Sequence, residues 1–203
     1  MLTRIPKLLR SYYPNLVWEG DVEQQNAVYL TFDDGPIPNV TPWVLELLKE
    51  YNVKATFFCI GDNVKKHPTI YQRILDEGHA VGNHTFNHVK GWGSSDENYI
   101  KNVKLAEGLI KSKLFRPPYG RITKSQIALI EKEYTIIMWS VLTGDYNRRR
   151  TPNQCFLNLK RHLKPGSIVV FHDSIKAETN MKFALKKTLE LMKERGLKAS
   201  LFS

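Results

Sequence analysis

Seven short strand-like runs, at residues 27–32, 54–60, 79–83, 114–117, 135–141, 167–171 and 198–202, alternate with segments that carry helix-start and helix-stop signals. Several of these runs are continuously apolar, which marks strands covered on both faces, as in a parallel sheet. Thr41-Pro42 reads as a cap followed by proline in the first helical turn, opening a helix to about Tyr51 with Val44, Leu45, Leu47 and Leu48 as its stripe. Residues 70–75 belong to a second helix that stops near Gly78, and Ser94 with Glu97 makes a capping-box pattern for a third. Thr123, Thr151 and either Thr179 or Asn180 cap three more, the last ending at Gly196. Alternating β and α units on short loops predict an α/β chain built as an incomplete (β/α) barrel of about seven parallel strands. A complete eight-stranded barrel typically takes about 250 residues, and this chain has 203. A doubly wound open sheet is the alternative, but Asp33-Asp34-Gly35-Pro36 is not the glycine-rich phosphate loop expected after its first strand. Residues 1–26 read as an N-terminal extension packing on one catalytic domain, 27–203.

The unusual residues gather where the strands end. Asp33 and Asp34 follow the first run, His84 and His88 the third, and Asp145 the fifth. The fourth run holds Arg116 and leads into Pro117-Pro118-Tyr119-Gly120, while the sixth leads into His172-Asp173. All of these lie on the carboxyl edge of a parallel sheet, where α/β barrels build their active sites. Two adjacent carboxylates at the end of a buried strand are costly unless paired, protonated or bound to a metal. As a motif alone, Asp-Asp-Gly-Pro also fits a plain turn.

His84 and His88 stand four residues apart, so one helical turn brings them to the same side. With a carboxylate beside them they make a two-histidine, one-carboxylate set that leaves coordination positions open, the pattern of a catalytic metal. Zinc is the first expectation, and cobalt or another divalent ion suits the same ligands. One aspartate can then ligate and the other act as base; periodicity places them on opposite sides of an extended chain without saying which is which. His172 reads either as a satisfied core histidine or as a general acid, with Asp145 as candidate neighbour. Arg116 reads either as an ordinary salt bridge or as the group that holds the free aspartate ionised. No G-x-S-x-G nucleophile elbow is present.

The net charge is +10, but the basic residues are spread over several helices, which favours a solvated lysine-rich surface over a nucleic-acid site. Arg148-Arg149-Arg150 is the densest cluster. Leu2, Ile5, Leu8 and Leu9 with Arg4, Lys7 and Arg10 suggest weak contact with a membrane surface, though Pro6 favours packing on the domain. No run approaches a membrane span, and the N-terminus lacks the long apolar stretch of a signal peptide. The expectation is a monomer in the cytoplasm or at the cytoplasmic membrane surface. Cys59 and Cys155 make no disulfide framework. His67 and His162 read as surface residues.

Residues 31–36 (TFDDGP), 84–88 (HTFNH), 116–120 (RPPYG) and 168–173 (IVVFHD), in this order, resemble the polysaccharide deacetylase family, carbohydrate esterase family 4. The resemblance covers residues 27–174 and implies a distorted, incomplete barrel that removes acetyl groups from acetylated glycans with a divalent metal. It implies Asp33 as base, with Arg116 orienting it, and Asp34, His84 and His88 as ligands. It further implies the Tyr119 N–H at the oxyanion beside Pro118, His172 as acid, and Asp145 as its tuner. Three departures concern the pocket walls. Leu142 stands where the family's fourth motif often has Asp, Tyr146 where it has Trp, and Val170 where the fifth motif usually has Leu.

Overall fold

The structure, a computed structural model, describes residues 11–21 and 24–202. The expected membrane-facing residues 2–10 lie outside them. The described residues form eight strands: β1 (Ala27–Asp33), β2 (Thr56–Cys59), β3 (Ala80–Asn83), β4 (Leu114–Phe115), β5 (Thr135–Ile136), β6 (Val141–Leu142), β7 (Ile168–His172) and β8 (Lys198–Ala199). The helices are α1 (Thr41–Glu50), α2 (Gly61–Lys66), α3 (Pro68–Asp76), α4 (Asp96–Glu107), α5 (Lys124–Ile130), α6 (Pro152–His162) and α7 (Glu178–Glu194). All strand pairs are parallel, in the order β5-β4-β3-β2-β1-β7-β6, with β8 pairing the start of β1 off this path.

Every residue of β1 is buried, as its unbroken apolar run requires. The strands divide their side chains by parity. Val28, Leu30 and Phe32 of β1, Phe57 and Cys59 of β2, and Val169 and Phe171 of β7 pack with the helices, where Leu45, Leu48, Met181 and Leu185 meet them. Ala27, Tyr29, Phe58, Ile168 and Val170 turn the other way, with Phe115, Ile136 and Trp139. Asp33 continues the Ala27–Tyr29 parity and His172 that of Ile168–Val170, and the two are register partners across β1 and β7. The period-2 rule alone therefore brings them to the same face at the same end of the barrel.

The run at 135–141, expected as one strand, is two. β5 and β6 stand at opposite ends of the sheet path, so the chain between them crosses from one edge to the other. The sheet must curl for residues 137–140 to span that gap. Val17 fills it: its N–H donates to Ile136 O at 2.9 Å and its carbonyl accepts from the Met138 N–H at 2.7 Å. Leu16 is buried beside it.

Thr123 and Thr151 cap α5 and α6 in full capping boxes with Gln126 and Gln154. Three caps differ from expectation. Ser95, not Ser94, caps α4. Thr41 lies inside α1, and Ala177, not Thr179 or Asn180, precedes α7. The Thr41 and Asn180 side chains are spent on longer-range contacts, Asn180 Nδ2 donating to Asp145 O at 3.1 Å. His67 and His162 are half-buried, and both cysteines are buried and free.

His79, just before β3, is buried, and its Nδ1 accepts the Ala55 N–H at 3.1 Å. Burial, then the charge of Lys54, pulls its pKa from 6.5 to about 4. The unfolded chain therefore binds this proton more readily, and stability present above the unfolded value is lost as pH falls toward the folded one. At pH 5 the loss through this imidazole is expected to be about 2 kcal/mol. Urea midpoints at pH 7 and pH 5 check it: His79→Gln should show a smaller acid shift than the wild type, and equal shifts would contradict it.

Candidate active site

Five loops at the carboxyl ends of β1, β3, β4, β6 and β7 bring the expected residues together around a cavity of about 420 Å³. It is lined by Asp33, Asp34, His84, His88, Tyr119, Tyr146, Val170 and His172, and also by Trp139, Leu142, Ser174 and Lys176. Pro118 does not line it; it is buried and begins the 3₁₀ turn Pro118–Gly120 that carries Tyr119.

Asp33 is 4% exposed, and Arg116 is wholly buried beside it. Arg116 Nη1 donates to Asp33 Oδ1 at 2.7 Å and to Thr31 Oγ1 at 2.7 Å. Its Nε and Nη2 donate to the carbonyls of Ile137 and Met138, at 3.1 and 3.0 Å. Those carbonyls belong to the crossing between β5 and β6, so one guanidinium both closes the sheet gap and holds the carboxylate. Burial alone would raise the Asp33 pKa, but Arg116, then His84 and His172, more than offset it and hold this carboxyl below the ordinary carboxylate value.

On the other side, His172 Nδ1 lies 2.8 Å from Asp145 Oδ1, and the His172 backbone N–H donates to Asp145 Oδ2 at 2.8 Å. Asp145 is fully buried. Burial works against the imidazolium, yet Asp145, by charge and hydrogen bond, raises the His172 pKa to about 9. At neutral pH this pair of sites thus holds an ionised carboxylate and a protonated imidazole in register across two strands, the environments pushing their pKa values apart.

Asp34, His84 and His88 form the third group, with one donor atom from each within 4.8 Å of the others. His84 Nε2 lies 3.9 Å and His88 Nε2 3.3 Å from Asp34 Oδ1. His84 Nδ1 sits 2.7 Å from the Arg116 carbonyl, which places its proton there and turns the Nε2 lone pair toward Asp34. Burial, despite Asp33, lowers the His84 pKa to about 4, so this ring is neutral. Asp34 Oδ1 is buried without a hydrogen-bond partner. A neutral imidazole lone pair facing an unpartnered carboxylate oxygen is unfavourable unless a cation lies between them, so these residues fit a divalent metal.

The backbone here is held in conformations side chains rarely adopt: φ is 86° at Asp34, 56° at His88 and 61° at Tyr119. Contacts from residues distant in the chain fix the first of these. Asn63 Nδ2 donates to Asp34 O at 2.7 Å. The buried Asp173 carboxyl accepts the Gly35 N–H at 3.0 Å and the Thr41 hydroxyl. A Cβ on Gly35 would lie 2.0 Å from Asp173 Oδ2, so only glycine lets this loop reach that carboxyl. Burial raises the Asp173 pKa to about 8.

The polysaccharide deacetylase family model matches residues 20–136. This chain belongs to that family. A peptidoglycan-N-acetylglucosamine deacetylase of Bacillus cereus is 35% identical over 188 residues, which are 89% of this chain and 88% of that protein. A longer B. cereus protein of the same name is 37% identical over 154 residues, and the match spans 56% of its length. A chitooligosaccharide deacetylase of Azorhizobium caulinodans is 34% identical over 159 residues, 74% of this chain and 75% of that one. The crystal structure of the Bc1960 peptidoglycan N-acetylglucosamine deacetylase, in complex with 4-naphthalen-1-yl-N-oxidanyl-benzamide, matches with a TM-score of 0.83 at 32% identity, covering 97% of this chain and 94% of that one.

Proposed function

We propose that this protein is a metal-dependent hydrolase that removes N-acetyl groups from a glycan containing N-acetylglucosamine, releasing acetate and a free amine. The observation that carries the reading is the meeting of three groups in one cavity: the Asp33–Arg116 pair, the His172–Asp145 pair, and the Asp34-His84-His88 cluster. Asp34, His84 and His88 would hold the metal. Zinc suits two imidazoles and one carboxylate, and cobalt fits the same donors. When bound, the ion supplies Lewis acidity to the acetamide carbonyl and to water at the site.

The remaining work belongs to the side chains. Asp33, ionised beside Arg116, takes a proton from the attacking water. Arg116 keeps that carboxylate aimed, with one oxygen on its Nη1 and the other available. The Tyr119 N–H donates to the oxyanion as the carbonyl becomes tetrahedral. His172 gives its proton to the departing nitrogen, and Asp145 keeps the ring charged and fixes which nitrogen faces the cavity. Val170, Leu142, Tyr146 and Trp139 wall the space for the acetyl methyl and the sugar. Acetylated glycan is the proposed partner. Among the described residues no helix is long and apolar enough to cross a membrane.

Acetate release from N-acetylglucosamine oligomers, peptidoglycan fragments and acetyl-xylan tests the reading. The first two should be cleaved; release from acetyl-xylan alone would make the protein an O-acetyl esterase. The acid role has its own signature. An amine leaves poorly without a proton, whereas a phenolate does not need one. His172→Ala should therefore lower kcat on the N-acetyl substrate by about 10²–10⁴-fold, and on p-nitrophenyl acetate far less. Equal losses on both would remove His172 from that role.

A further inference from the structure

Two aromatic rings stand half in solvent at the catalytic end of the barrel. Tyr119, at the cavity wall, is 51% exposed, and Trp92 is 53% exposed. Trp92 lies in the loop after His88, and Tyr119 in the turn after β4, so both follow the carboxyl ends of adjacent strands. The two segments are tied together. Gly91 N–H donates to Arg121 O at 2.7 Å, and Trp92 Nε1 donates to Ile122 O at 3.0 Å. The buried Gln126 amide donates to Gly91 O at 3.2 Å from below. His88 and Tyr119 rings are 4.7 Å apart, which joins the metal cluster to this surface. The Arg121 guanidinium sits 5.5 Å from the Trp92 ring centre, and Arg121 is itself exposed.

Leaving an indole in water forfeits burial of one of the largest apolar side chains. Here its N–H is satisfied by backbone and its loop is pinned, so the ring is presented without rotational freedom to lose on binding. A pyranose has the matching shape: an apolar face of C–H bonds for the ring, and an edge of hydroxyls or a carboxylate for guanidinium donors. Resting on the deacetylase reading, we propose that Trp92 and Arg121, reached past Tyr119, form a second sugar subsite that stacks a residue of the glycan beyond the one losing its acetyl group. The substrate is then a chain, and the loop at residues 89–94 sets how much its length matters.

The test is the ratio of kcat/KM for acetate release from a pentasaccharide and a disaccharide of N-acetylglucosamine. Wild type should favour the pentasaccharide, and Trp92→Ala should lower the ratio about tenfold with its melting temperature held. Trp92→Phe, which keeps an aromatic face but loses the bond to Ile122, should restore most of the ratio. An unchanged ratio in Trp92→Ala would overturn the subsite. So would a Trp92→Phe protein as impaired as Trp92→Ala, since the indole would then be a loop tie and not a platform. If the wild type releases acetate from neither sugar, the deacetylase reading fails separately. Calorimetric titration with the pentasaccharide then decides the platform: binding lost in Trp92→Ala upholds it, and no binding, or equal binding, overturns it.

Discussion

Asp33→Asn should abolish acetate release while the protein still binds its metal. Asparagine keeps the shape and can still accept a hydrogen bond from Arg116 Nη1, now 2.7 Å from Asp33 Oδ1. It cannot take a proton. General-base catalysis by a positioned side chain contributes about 10²–10⁴-fold, and the loss in kcat should fall at the upper end, since Asp33 is the ionised carboxylate opposite His172. Metal content separates the two aspartates. Asp34, with its unpartnered buried oxygen between the histidines, is the ligand in this account. Asp34→Asn should lose both metal and activity. Should Asp33→Asn lose the metal and Asp34→Asn keep it, the two roles are reversed.

Arg116→Met should be the most destabilising change at the site. It removes four hydrogen bonds at once, to Asp33, Thr31, Ile137 and Met138. It also removes the guanidinium stacked 4.0 Å over Phe58. Two consequences follow from burial. Asp33 is left charged in a dry site, and breaking a buried pair by deleting one partner costs about 3–5 kcal/mol. The carbonyls of Ile137 and Met138, at the crossing where no ladder serves them, lose their donor as well. For a chain of this size the melting temperature should fall by roughly 10 °C. A drop of only a degree or two would mean that the pair contributes to chemistry without holding the barrel together.

The candidate site is legible in the sequence because most of its signals are local. A strand-like run ends, and a charged or titratable side chain follows; Asp33, His84 and His172 obey that rule and line one cavity, while Arg116 and Asp145 obey it and stand buried behind Asp33 and His172 as their partners. The run at 135–141 reads as one strand because four apolar residues, Ile136 to Trp139, stand in an unbroken row between β-branched Thr135 and Val141. Its break reflects which sheet edges the chain must join, and pattern does not encode that. Thr41 illustrates the opposite limit. Its sequence context, before Pro42 and an amphipathic run, is a helix cap, but its hydroxyl goes to Asp173, which lies far away in the chain. Asn63 and Asp173 brace the loop that carries the aspartates through contacts spanning 29 and 138 positions, for which no spacing rule exists. Trp139, which the sequence pattern does not single out, is buried yet lines the cavity because it lies in the crossing between β5 and β6. The short helix α2 escaped notice since its cap position is Ile60, with no capping side chain.

By the proposed mechanism, amide hydrolysis requires a metal held by Asp34, His84 and His88. The direct measurement is acetate release from an N-acetylglucosamine oligomer by chelator-stripped protein during stepwise addition of zinc, with bound metal counted in parallel. The stripped protein should release none, and recovery should saturate at one bound ion per chain, with neither binding nor recovery in a His84→Ala/His88→Ala variant. Undiminished release by metal-free protein, or full zinc binding by the double variant, would contradict it.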